Sequence, residues 1–122
     1  MSSKKKVLVL GASEKSWRYS HIALQRLAEK GHEVIALGRT AGKIGDVSIG
    51  TDFPVEEEID TVSMYLNPVH QSQYEEAILE LVPKRVIFNP GAENPEFEQK
   101  LKDKGVEVLD ACTLVMLSTG QF

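Results

Sequence analysis

The residues of this chain whose types and spacing could do chemistry lie where apolar runs end. Val7-Leu8-Val9-Leu10 breaks at Gly11-Ala12-Ser13 and is followed by Trp17, Arg18 and Ser20, at the start of a helical pattern that closes on Lys30-Gly31. A buried parallel strand that stops at a glycine and feeds a helix presents backbone amides and the positive end of a dipole. Phosphate is the chemistry that such an arrangement suits. Arg39 and Lys43, after the second apolar run, add two cations that can hold a phosphate, the arginine bidentately.

Groups for catalysis are scarcer. The histidines, His21, His32 and His70, have no metal-ligand spacing. His32 falls between a helix stop and a strand and is expected to be exposed. Cys112 follows the last apolar run; it is read as a small packing hydrophobe, with attack as a nucleophile activated by His70 as the alternative. Glu93 and Asp110 could exchange protons, yet no paired-carboxylate spacing singles them out. No catalytic constellation is expected.

Composition bounds the remainder. A chain of 122 residues, 42% hydrophobic and 26% charged, fits one domain over 1–122 and leaves no length for a second catalytic domain. The formal charge of -4, with Lys4-Lys5-Lys6 as the only basic run, argues against nucleic-acid binding. No apolar span of about 18 residues could cross a membrane, and the opening residues lack a secretory core. A single cysteine excludes an internal disulfide. A cytoplasmic protein is the expectation.

The elements that must position these residues alternate along the chain. Apolar β-branched runs at 7–10, 33–37, 61–66, 85–88 and 106–109 are separated by helical patterns, which predicts an α/β fold: a single Rossmann-like doubly wound parallel sheet of about five main strands, with helices on both faces. The first run has no polar alternation and is expected at the centre. Ala23, Leu24, Leu27 and Ala28 form the inward stripe of the first helix, and Gly31 ends it. The glycine-rich stretch 38–54 reads as a loop with one short edge strand near 47–49.

Asn67-Pro68 and Asn94-Pro95 each place an N-cap before a proline at the first helical position. The first of these helices should bury Tyr74, Ala77, Ile78 and Leu81 until Pro83 stops it. The second should bury Phe97 and Leu101 and end at Gly105. The apolar tail 112–117 is read as a last helix closing one sheet face, or as a subunit contact through Met116 and Phe122.

A dinucleotide loop would carry G-x-G-x-x-G and an acid about 20 positions on. Here Gly11-Ala12-Ser13-Glu14-Lys15-Ser16 retains only the first glycine, and Gly38-Arg39-Thr40 stands where the acid would be. An arginine there suits a phosphate near the ribose, which leaves coenzyme A with its 3′-phosphate and NADP with its 2′-phosphate. Ser13, Ser20, Arg18, Arg39 and Lys43 are the candidate donors, and Trp17 is a candidate stacking platform for adenine.

Taken together, Val7 to Ser13, Arg18-Tyr19-Ser20, Gly31-His32-Glu33-Val34-Ile35, Asn89-Pro90-Gly91-Ala92, Gly105-Val106-Glu107-Val108 and Asp110-Ala111-Cys112 resemble the small stand-alone CoA-binding domains, whose fold is that of the amino-terminal domain of the succinyl-CoA synthetase alpha subunit. The resemblance implies that Gly11, Ala12 and Ser13 form the phosphate loop, with Arg18 and Ser20 at the following helix. It implies that Arg39 and Lys43 reach the ribose phosphate, and that Asn67, Pro68, Asn89, Pro90 and Gly91 line the crevice toward the pantetheine arm. Family members usually show Val-Asn-Pro at the end of the second strand; Leu37-Gly38-Arg39 departs from it and keeps NADP as a competitor. The resemblance further implies a binding, sensor or partner module, alone or as a homodimer, because acyl-CoA synthetases of this type need a histidine-bearing domain and an ATP-binding domain that this length cannot hold.

Overall fold

The computed structural model describes residues 4–122. Its strands are β1 (Lys6–Leu10), β2 (Glu33–Leu37), β3 (Gly42–Ile44), β4 (Val47–Gly50), β5 (Thr61–Met64), β6 (Arg85–Phe88) and β7 (Glu107–Asp110), in a seven-stranded sheet of order β3-β4-β2-β1-β5-β6-β7. Only the β3–β4 pair is antiparallel. The apolar first run is the central strand, as expected. The strand order reverses beside it: β2 lies on one flank and β5, β6 and β7 follow on the other. An open α/β sheet binds ligands outside the carboxyl ends of its strands at such a reversal.

Alternate residues of β1 feed two layers. Val7 and Val9 pack with Leu24, Leu27 and Leu117, under α1 (Tyr19–Glu29) and α5 (Thr113–Thr119). Leu8 and Leu10 pack with Ile78, Phe97 and Leu101, under α3 (Glu75–Leu81) and α4 (Pro95–Asp103). Helices therefore cover both faces. Ala28 is exposed rather than inward, because the apolar stripe of α1 is only wide enough to bury Ala23, Leu24 and Leu27.

The expected count of five main strands falls short because 42–50 is a hairpin: the short strand expected near 47–49 is β4, and β3 pairs outside it at the edge. Gly42 pairs with Ile49 and Ile44 with Val47, around a two-residue turn that opens on Gly45 at φ +58. Such a turn needs a positive φ at that position, and Gly-Asp supplies it. The single helix expected after Pro68 is broken into α2 (Pro68–Gln71), a 3₁₀ turn (Ser72–Tyr74) and α3. Ile78 is buried from the expected stripe, while Tyr74, Ala77 and Leu81 are half-buried.

Helix ends follow the local signals. Asn67 Oδ1 accepts from the His70 amide and Asn94 Oδ1 from the Phe97 amide. The amides of Gly31 and His32 return to the carbonyls of Ala28 and Leu27, and those of Gly105 and Val106 to Lys102 and Leu101, closing α1 and α4 in the same motif. The tail forms α5, and Met116 is buried within the chain. Phe122 is half-buried and folds back over the Arg85 guanidinium, 4.4 Å from its ring centroid. No helix among the described residues is long and apolar enough to cross a membrane.

Candidate functional site

The loops at the carboxyl ends of β1, β2, β5 and β6 enclose a crevice of about 710 Å³, within the range of ligand sites. Gly11, Ala12, Ser13, Arg18, Arg39, Asn67, Pro90 and Gly91 line it. So do Glu14, Lys15, Thr40, Tyr65 and His70, which sequence reasoning did not assign to the site. A smaller recess of about 110 Å³ adjoins it under Arg39, bounded by Leu10, Leu37, Leu66 and Tyr74.

The loop after β1 is held from below. The amides of Gly11 and Ala12 both donate to the Leu37 carbonyl at 2.9 Å, so these two are spent on the fold. The amides of Ser13 and Glu14 find no backbone partner among the described residues and remain for an anion. Buried His21, in the first turn of α1, donates from Nδ1 to the Ser13 carbonyl at 2.9 Å, so the Glu14 amide, across the same trans peptide, points the other way. His21 is a positioning residue that the sequence showed only as a lone histidine. Gly38 allows the close crossing of β2 and this loop: a side-chain carbon there would run into the Ala12 carbonyl oxygen.

Other expected site residues stand apart from the crevice. Asn89 is buried, donating from Nδ2 to Ser63 Oγ and the Met64 carbonyl and accepting the Thr113 amide at 2.8 Å. It ties α5 to the sheet. Ser20 is buried in α1, and Pro68 is exposed on α2 outside the crevice lining. Lys43 sits on β3 with its amide bonded to Glu14 Oε2. Trp17 is 72% exposed, with the Lys15 ammonium 5.9 Å from its ring.

The remaining candidates divide similarly. Glu93 accepts from the Gly91 amide, and Cys112 is half-buried at the N-cap of α5. His70 is exposed at the crevice, and buried Gln71 beside it donates to the carbonyls of Leu66 and Ala92, joining two crevice loops. The Tyr65 hydroxyl is buried near the Ser63 and Thr113 hydroxyls, which bond each other at 2.8 Å and leave it without a well-formed hydrogen bond of its own; burial pushes its pKa up to about 12. It is a neutral phenol at physiological pH. His32 is half-buried, not exposed: its Nδ1 accepts the Lys5 amide at 3.0 Å and its ring meets Phe122 edge-on.

The charge pattern decides what the crevice can take. Lys15, Arg18 and Arg39 converge on this crevice without an ion pair among the described residues; elsewhere Lys6, Lys84 and Lys100 are paired, while Arg26, Lys102 and Lys104 are not. Unpaired cations, free amides and the start of α1 meet at the strand-order reversal, a combination that receives phosphates. The sequence model of the CoA binding domain family matches residues 5–118. The chain belongs to the CoA binding domain family.

Solved structures share the fold. This CoA binding domain is similar to an uncharacterized protein whose crystal structure is known, with 47% identity over 99% of this chain and 100% of that one, and a TM-score of 0.95. A protein from Thermus thermophilus, cell-free ID.343, shares 24% identity over 98% of this chain and 91% of its own, with a TM-score of 0.85. The dinucleotide-forming acetyl-coenzyme A synthetase 1 of Ca. Korarchaeum cryptofilum shares the fold at 14% identity and a TM-score of 0.71, over 86% of this chain and 25% of that one. No curated protein matches the chain.

Proposed function

We propose that this CoA binding domain binds coenzyme A or an acyl-CoA in the crevice and leaves it chemically unchanged, acting as a carrier, sensor or partner module. The observation that carries the reading is the set of unpaired cations, Lys15, Arg18 and Arg39, around one crevice. In this reading the diphosphate lies on the Ser13 and Glu14 amides and the start of α1, Arg18 faces it, and Arg39 with Thr40 holds the ribose phosphate. The crevice walls at Asn67, Pro90 and Gly91 face the pantetheine arm. Family membership supports the ligand class.

The non-catalytic role rests on what the lining offers. Tyr65 keeps its proton, and His70 is an exposed histidine with no oriented partner among the described residues. Nucleophile, base and orienter must lie within hydrogen-bond reach, and the crevice holds no such set among the described residues. Chemistry on the acyl group then falls to a partner subunit.

A thermal-shift and calorimetric panel of CoA, acetyl-CoA, 3′-dephospho-CoA, NADP and NAD tests the reading. At 100 times its dissociation constant a ligand adds about 2.7 kcal/mol of stability. CoA and acetyl-CoA are expected to stabilise the protein, dephospho-CoA less so, and NAD not at all. Stabilisation by NADP without CoA overturns the assignment in favour of a small NADP-binding oxidoreductase or regulatory domain, the reading that Arg39 at the end of β2 also fits. No response to any of them leaves an interaction domain with a vestigial site.

A further inference from the structure

The crevice contains one group that does not belong in a phosphate site: the carboxylate of Glu14, in the loop after β1. Its Oε2 accepts the backbone amide of Lys43 at 2.9 Å, reaching from the phosphate loop to the hairpin. β3 is an edge strand, so its outer amides have no strand partner, and Glu14 supplies one. Gly42 makes the seat. A methyl group built there would lie 2.6 Å from Glu14 Oε1, so only glycine lets the carboxylate rest against the hairpin. The Gly42 backbone itself lies outside the left-handed region, so that conformation does not demand glycine.

We propose that Glu14 is a tethered competitor for the anion subsite: in the empty molecule its carboxylate straps the phosphate loop to the β3–β4 hairpin, and a phosphate-bearing ligand must displace it. The inference rests on the reading of the crevice as a phosphate site and adds the residue that sets its selectivity. Glu14 puts a negative charge among Lys15, Arg18 and Arg39 and lowers the potential that draws an anion in. Glu14 and Lys43 are both exposed, so the strap is weak enough to open. The apparent dissociation constant is the intrinsic one divided by the open fraction. A polyvalent phosphate competes through several contacts at once, and a lone carboxylate ligand has no such advantage.

Gly42 allows the strap to be broken without touching Glu14. The test titrates inorganic diphosphate and CoA calorimetrically into the wild type, Glu14→Ala, Gly42→Ala and the double variant. Amide hydrogen exchange at Lys43 is followed in each ligand-free protein. Glu14→Ala should tighten diphosphate about fivefold, the size of one exposed charge interaction. Gly42→Ala should do the same by evicting the carboxylate, the double variant should gain no more than either, and the Lys43 amide should exchange faster in all three. Weaker or unchanged diphosphate binding in Glu14→Ala, with CoA still bound, overturns the competitor and makes Glu14 an acceptor for the ligand or a bystander. Additive gains overturn the shared mechanism. If neither diphosphate nor CoA binds any of the four proteins, the phosphate reading of the crevice has failed and the competitor falls with it.

Discussion

The two edges of the sheet carry similar charges and use them in opposite ways. At the amino edge, Lys6 meets Glu33 and Glu57, Lys84 faces Asp60 at 3.9 Å, and buried Arg85 donates to Thr61 Oγ1 at 2.7 Å and the Phe122 carbonyl at 2.6 Å. Burial lowers the pKa of Arg85, with Asp60 and Glu107 opposing the shift. At the carboxyl edge, Lys15, Arg18 and Arg39 are left without an ion pair among the described residues. Lys6, Lys84 and Arg85 find their partners within the fold; under the proposed reading, the partner of the crevice cations arrives with the ligand.

Substitutions at each edge can break that contrast, and the largest effect is expected at the amino edge. Arg85→Ala strips Thr61 and the Phe122 carbonyl of a charged donor and should cost about 3 kcal/mol of stability in urea unfolding, with CoA affinity unchanged. A comparable loss of affinity would erase the separation of the edges. Next in size, Arg39→Ala should weaken CoA binding by about 2 kcal/mol, roughly 30-fold in Kd by calorimetry, at an unchanged melting temperature. A stability loss in that variant would mean that Arg39 serves the fold after all.

Smaller effects sharpen the comparison. Asn94→Ala removes the cap of α4 and the bond to Gln71 Oε1, and should cost about 1 kcal/mol in thermal unfolding. The smallest is a pH slope at the amino edge. Burial first, then the charges of Lys5, Lys4 and Arg85, lower the pKa of His32 below 6.5. The folded state therefore prefers the neutral ring, which accepts the Lys5 amide. The unfolded chain takes up a proton first as pH falls, so stability is full above pH 6.5 and declines below it, through the depressed value. Urea midpoints should fall between pH 7.5 and 5.5 in the wild type, and the fall should shrink in His32→Gln.

Much of the fold is legible from short-range signals. The apolar run 7–10 marks the central strand because no polar residue could tolerate cover on both faces. Asn67-Pro68 and Asn94-Pro95 mark helix starts because the cap and the proline act within one turn. The hairpin 42–50 is harder to see: its strands are short, and only the second of them, near 47–49, shows in the apolar pattern. The break in the helix after Pro68 and the exposure of Ala28 depend on how wide a face the sheet offers, which the 3.6-residue period does not contain.

The site divides along the same line. By itself the chain determined that a glycine-ended strand and an arginine after β2 would face one edge, because parallel βα units send every such loop the same way. Tertiary structure alone decided which of those residues line the crevice. It spent the Gly11 and Ala12 amides on Leu37, buried Asn89 as a tie to α5, and brought His21 beneath Ser13 and Glu14 across to Lys43. All but the His21–Ser13 contact join residues far apart in sequence, and their geometry follows from strand order and packing rather than from any local pattern.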